Sequence, residues 1–254
     1  MRYLVTMVSI GALAALGATM VAAQDGGGEA MVSRTYDLAG FEGVSVVGPH
    51  HVTISVGPAF SVRAEGPQQT FDDTEVEIED GRLKIHPVED DRWERRRRGR
   101  DDWDGWDDYK PATFHVTLPR LEAVSLVGGG EMSVDRVEGE EFSASVAGSG
   151  ELDIAALRVD DLRFSIAGSG DLVARGNARR SRVSIAGSGN LRAREVTSGE
   201  ASVSIAGSGN AALTVDGDAR VSIVGSGDVD IAGGARCSVS RIGSGNVRCN
   251  GAES

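Results

Sequence analysis

The sequence predicts an all-β fold: a single-stranded parallel β-helix, or β-solenoid, with coils of about 18–20 residues and a Gly-Ser-Gly corner in each coil. Three observations predict it. Nearly the same eight residues recur as "SIAGSGDL" at Ser165–Leu172, "SIAGSGNL" at Ser184–Leu191 and "SIAGSGNA" at Ser204–Ala211. The residues flanking each copy alternate apolar and polar with β-branched side chains, which is the period of a strand and not of a helix. The composition has 35 Gly, only 5% aromatic residues and 40% hydrophobic residues, enough for a narrow aliphatic core with many tight bends.

Taking the first Gly of each corner as position 0, corners begin at Gly128, Gly148, Gly168, Gly187, Gly207, Gly225 and Gly243, at intervals of 20, 20, 19, 20, 18 and 18 residues. A fixed period of this size marks one structural unit stacked on its neighbours. Position −2 carries Leu126, Val146, Ile166, Ile185, Ile205 and Ile223; position −4 carries Val124, Ala144, Phe164, Val183, Val203 and Val221; both are assigned to the core. Position −3 is Ser in all seven units, position +1 is Ser from Ser149 onward, and position +3 is Glu, Asp or Asn. Stacking in register sets equivalent residues one strand spacing apart, roughly 4.8 Å, so these positions form surface ladders. Asn in such a ladder hydrogen-bonds to itself, whereas an all-Asp ladder would repel itself. Gly at positions 0 and +2 is expected to supply positive φ where the coil bends.

The same frame reaches backward. In "GVSVVGPHHVTIS" (Gly43–Ser55), Gly48 takes position 0 and lies 80 residues, four periods, before Gly128. "VEIEDGRLKI" (Val76–Ile85) reads as two strands about an Asp80-Gly81 turn, and "TFHVTLP" (Thr113–Pro119) as another strand. The predicted organisation is a signal peptide at 1–23, a flexible linker at 24–33 and a β-solenoid domain at 34–254. That domain divides into irregular early coils (34–120) and regular repeats (121–254). The leader rests on Arg2, the apolar run Leu4–Val21 and a small-residue cleavage site at Val21-Ala22-Ala23. An exported chain with no transmembrane segment after cleavage is expected, in the periplasm or at the cell surface.

Chemistry is sparse. The formal charge of −12 excludes a general nucleic-acid binder, which needs a basic face. No HExxH, G-x-S-x-G, Walker or G-x-G-x-x-G pattern occurs, so no catalytic residue, cofactor site or metal site is assigned. His50 and His51 adjoin the Gly48 corner without Cys or acidic neighbours in sequence and read as turn residues. The GSGD corners differ from calcium-binding nonapeptide repeats, because they recur once in 18–20 residues and their acid is often Asn. One segment stands outside the pattern: the charged loop 89–110, "EDDRWERRRRGRDDWDGWDDYK", which holds all three tryptophans, Trp93, Trp103 and Trp106. Trp beside Arg suits sugar rings or an acidic partner, which makes this the candidate ligand-contact loop. An EF-hand reading of "DDWDG" fails, since Arg100 and Pro111 fall at its first and twelfth positions.

The two cysteines, Cys237 and Cys249, fall at −6 and +6 of the last corner, on the inward parity of opposite arms. A disulfide between them is expected in an oxidising compartment, where it would staple an uncovered final coil.

Together, "FEGVSVVGPHHVTISVG" (Phe41–Gly57), "DGRLKI" (Asp80–Ile85), "FHVTLPRLEAVSLVGGG" (Phe114–Gly130) and the SIAGSG series resemble the auto-transporter adhesin head, or head GIN, domain family. The resemblance covers roughly Thr35 to Asn250 and implies a parallel β-helix in the cell envelope, with no catalytic residues. The expectation is therefore a non-catalytic exported module that is structural or binds an envelope protein or glycan. A carbohydrate-active lyase or hydrolase on a β-helix is the alternative; enzymes of that kind use clustered acids and bases in a cleft walled by long loops, and the repeat region carries no insertions.

Overall fold

The computed structural model describes residues 30–88 and 110–250, with the backbone of 252–253. The expected signal peptide (1–23), most of the expected linker and residues 89–109, with Trp93, Trp103 and Trp106, lie outside the described residues. The described residues open with β1 (Met31–Tyr36), so the last residues of the expected linker are already strand. The first corner joins β2 (Gly43–Val47) to β3 (His51–Val56). Next come β4 (Ser61–Pro67), a five-residue helical turn α1 (Gln68–Asp72), β5 (Thr74–Glu79), β6 (Arg82–Pro87) and β7 (Thr113–Leu118).

The regular region opens with β8 (Ala123–Gly128) and β9 (Glu131–Val134). It continues in β10 (Val137–Gly148), β11 (Glu151–Gly168), β12 (Asp171–Gly187) and β13 (Asn190–Gly207), strands that carry the chain most of the way round a coil. It closes with β14 (Asn210–Val215), β15 (Asp218–Gly225), β16 (Val229–Ala232), β17 (Arg236–Gly243), β18 (Val247–Cys249) and β19 (Ala252–Glu253).

Pairing in the regular region is parallel and in register. Ser145, Ser165, Ser184, Ser204, Ser222 and Ser240 are successive partners, as are Gly148, Gly168, Gly187, Gly207, Gly225 and Gly243. The one- or two-residue differences in coil length are absorbed away from the corner, at bulges such as Ile154/Leu157 against Ala174/Gly176. Positions −2 and −4 fill the core: Leu126 is 0% exposed and Val146, Ile166, Ile185, Ile205 and Ile223 are 1% exposed. Each such side chain contributes about 2–3 kcal/mol by leaving water. The β-helix expected from the periodicity is the fold observed.

The early half differs from its sequence frame. The 80-residue interval between Gly48 and Gly128 does not hold intervening coils. β2 pairs directly with β8, Val44 to Val124 and Val46 to Leu126, and β3 pairs with β9, Val52 to Met132 and Ile54 to Val134. The residues between pass to the opposite side of this first coil. There β6 pairs parallel with β2 and β7 parallel with β3, forming an outer rung. The chain then crosses back to start the next coil at β8. Beyond the outer rung the pairing turns antiparallel, with β5 on β6 as a hairpin and β4 on β7 and β1 on β4 as longer-range pairs, and this antiparallel cap closes the end. The Asp80-Gly81 turn joins β5 to β6, Asp80 with φ +51° and Gly81 with φ +71°.

Candidate binding surface

The outer rung explains the charged insertion. In the first coil, Val46 and His51 are separated by the corner 47–50. Their partners on the outer rung, Ile85 and Thr113, are separated by residues 86–112. On the outer rung, residues 86–112 thus join strands that a four-residue corner joins in the first coil. The two stems of the insertion are held by the same helical turn: Val88 N donates to Asp73 O at 3.0 Å, and Thr70 Oγ1 donates to Lys110 O at 3.0 Å.

The same rung receives His50. The regular coils carry Gly at position +2, but the first coil carries His50, which is 0% exposed. Its Nδ1 accepts the Ala112 N–H at 3.3 Å, and its ring meets Phe114 edge-on at 5.3 Å between centroids. Burial, with a smaller contribution from His51, lowers its pKa to about 4 and keeps the ring neutral. His51 points outward and meets Glu131 Oε2 at 3.1 Å. The two histidines therefore do different things and do not converge on one site.

At the regular corners the two glycines have separate causes. Position 0 has positive φ throughout, for example +111° at Gly168. Position +2 does not; it is glycine because of close approach. A Cβ on Gly170 would lie 2.6 Å from Gly150 O and 2.6 Å from Val146 Cγ1 in the preceding coil. The expectation of positive φ at both positions is corrected accordingly. The approach is fixed by hydrogen bonds, since Ser169 N and Gly170 N both donate to Gly148 O, at 2.8 and 2.9 Å.

The outward columns are occupied with one another. At +3, Asn190 Nδ2 donates to Asp171 Oδ1 at 2.8 Å and Asn210 Nδ2 to Asn190 Oδ1 at 2.9 Å. Further along, the Asn210 carboxamide and Asp228 carboxylate accept backbone N–H groups of Asp228 and Asn246. Two of the three arginines at −5 have ion-pair partners: Arg163 pairs with Glu141 at 3.1 Å, and Arg182 pairs with Asp161 at 3.3 Å. Hydrogen bonds from Arg180, then the charges of Arg180 and Arg182, hold the Asp161 carboxyl down at about 2. Exposed pairs of this kind add little stability individually.

In the last coil Cys237 pairs with Ala219 and Cys249 with Ile231, both core columns, and the structure joins the two sulfurs with their Cα atoms 6.5 Å apart. Arg241 takes the −2 position that Ile223 holds one coil earlier, and its Nη1 reaches Gly245 O at 2.9 Å. No group of three or more metal-ligating side chains occurs among the described residues, and no described helix is long and apolar enough to cross a membrane.

A family model described as "Putative auto-transporter adhesin, head GIN domain" matches residues 40–235. Among solved structures, a putative adhesin from Bacteroides fragilis superposes with a TM-score of 0.72 at 18% identity, covering 85% of this chain and 95% of that one. A putative adhesin from Parabacteroides merdae gives 0.66 at 19% identity, covering 87% and 96%. A putative lipid binding protein from Parabacteroides distasonis gives 0.65 at 22% identity, covering 88% and 98%. At these identities the likeness is one of fold. No curated protein matches the sequence.

Proposed function

The chain belongs to the auto-transporter adhesin head GIN domain family, and from that premise we propose that it is an exported, non-catalytic β-solenoid that acts as a binding module of the cell envelope. The solenoid is the rigid support and the corner insertion 89–110 is the recognition element. One observation carries this reading. Stacking accounts for the repeated residues, the glycines by close approach and the Asn/Asp column by its own hydrogen bonds. It does not account for an insertion that holds every tryptophan of the chain and the run Arg95–Arg98. Trp93, Trp103 and Trp106 are the proposed contacts, suited to a glycan or an acidic envelope protein. Family membership supports a partner outside the cytoplasm.

Replacing residues 89–109 by a short Gly-Ser linker is expected to leave the circular dichroism spectrum and melting temperature nearly unchanged, because α1 holds both stems. Binding to a glycan array and to purified envelope fractions should be lost, as it should be in a Trp93→Ala, Trp103→Ala, Trp106→Ala variant. Retained binding in both variants rejects the loop as the site. Release of new reducing ends from a bound glycan would instead favour the lyase or hydrolase alternative.

We also propose that the Cys237–Cys249 bond staples the last coil of the exported protein. It closes a loop of separation 12, for which chain entropy gives about 3 kcal/mol. A Cys237→Ser, Cys249→Ser variant should melt several degrees lower. Two alkylatable thiols in the unfolded, unreduced parent protein would reject the bond.

A further inference from the structure

One side of the solenoid is a sheet whose outer surface repeats coil after coil. Its strands are β2, β8, β10, the closing halves of β11, β12 and β13, then β15 and β17, paired in that order. Side chains at −5, −3 and −1 point outward together. Position −3 is Ser in all eight strands, Ser45 included, and position −1 is Ala in four coils and Val47, Val127, Val224 and Ile242 in the others. Val127, Val224 and Ile242 are 38%, 53% and 69% exposed, so three of the four exposed large apolar side chains among the described residues stand on this one column. The +3 column bonds within itself, whereas no side-chain hydrogen bond engages the −3 hydroxyls among the described residues. Positions −7 and −5 hold four acidic and five basic side chains, and positions −3 and −1 hold none, in a chain whose formal charge is −12. This face is therefore close to neutral.

We propose that this face binds a second copy of the chain, the two sheets stacked about a twofold axis that runs along the solenoid through the Ser ladder. Three features favour a second copy as the occupant. The first is area: eight strands at the usual spacing, each crossed from −7 to −1, cover about 34 Å by about 20 Å. That is about 700 Å² per copy, close to the roughly 800 Å² per partner of a stable interface. The second is charge, since a near-neutral face is where two copies of an acidic chain can approach. The third is fit. The axis sets −3 on −3, hydroxyl to hydroxyl, and −1 of each copy on −5 of the other. Val127 and Ile242 then lie over Ala123 and Ser238 of the second copy, and Ala167 and Ala186 over its Arg163 and Arg182, so large stands over small. Those arginines are drawn toward the −7 side by Glu141 and Asp161, which leaves their aliphatic stems over the alanines. Val224 over Arg220 is the one crowded position. Beyond β2 the ladder ends at Lys84 of the outer rung, which pairs with Glu79, and the contact ends there. The interface is isologous and closes at two copies. It is independent of what the corner insertion binds.

The test is sedimentation velocity of the purified protein at concentrations up to tens of micromolar. A concentration-dependent dimer, with no larger species, is expected. Ser204 lies on the proposed axis and faces Ser204 of the second copy. Ser204→Lys and Ser204→Asp should therefore each lose the dimer, because like charges meet at the centre of the contact. Unchanged circular dichroism spectra show that both variants fold. Mixed in equal amounts, the two should dimerise again, since Lys then meets Asp. A parent protein that is monomeric at every concentration, a dimer that survives either charge, or a mixture that stays monomeric overturns the proposal. So does a dimer that forms only when residues 89–109 are replaced by a Gly-Ser linker, because the insertion would then be what covers this face.

Discussion

Ile205→Asp is expected to break the stack, and Ser204→Val, one residue away, to leave it intact. Ile205 is 1% exposed and lies between its partners Ile185 and Ile223 in adjacent coils. A carboxylate there loses about 2–3 kcal/mol of apolar burial and adds the larger cost of placing a charge, or a protonated acid without partners, in an aliphatic column. Because each coil touches only its neighbours, the damage is directional. Coils from Asn190 to Asn250 should lose amide protection first, while the capped end built on Phe41 and Phe114 keeps it longest. The outward Ser204 sits in a column of like residues, and its change should shift the melting temperature by no more than a degree or two. Hydrogen exchange followed by mass spectrometry reads both outcomes. Equal tolerance of the two changes would mean that the inward and outward faces are misassigned.

The regular half was legible because the same physical demand recurs in every coil. A parallel in-register stack repeats each local choice, so the alternation at −4, −3 and −2 states the inward and outward faces several times over. The early half was less legible for a topological reason. Periodicity records how alike two segments are, not which segment lies between them. Gly48 stacks directly on the Gly128 coil although four periods of sequence separate them. Nothing local in residues 57–122 announces that the chain visits the far side of the first coil and returns. The buried Ser181–Ser198 hydroxyl pair, 2.6 Å apart, was equally silent, since a Ser in an alternating segment reads as surface. The signal for His50 was present but slight: it is the one non-glycine at position +2 of a corner. What that signal meant depended on the partner rung, where Ala112 and Phe114 meet the ring. The +2 glycines were seen but given the wrong cause, because sequence shows that glycine is required and not whether φ or proximity requires it.

That last distinction has its own expected result. Gly170→Ala should destabilise the protein severely, and Gly129→Ser should not. The added methyl at 170 points at the Gly150 carbonyl oxygen and Val146 Cγ1, each 2.6 Å away, nearer than real side-chain carbons approach. Neither obstacle yields readily. The Gly150 carbonyl accepts the Asp171 N–H of the next coil at 3.1 Å, and Val146 is 1% exposed in the core. Relief requires the two coils to separate at the corner, where Ser169 N and Gly170 N both reach back to Gly148 O. Overpacking of this kind costs roughly 1–3 kcal/mol even where a core can adjust, and lost corner hydrogen bonds add about 1 kcal/mol each. Gly129 stands at +1, where the later coils carry Ser; its Cβ would meet only Ser149 Oγ at 3.5 Å, and its φ is not positive. Gly129→Ser should therefore stay within about 0.5 kcal/mol of the parent. Urea unfolding of the three proteins separates the causes. If Gly170→Ala proves as mild as Gly129→Ser, close approach is not what excludes a side chain at +2.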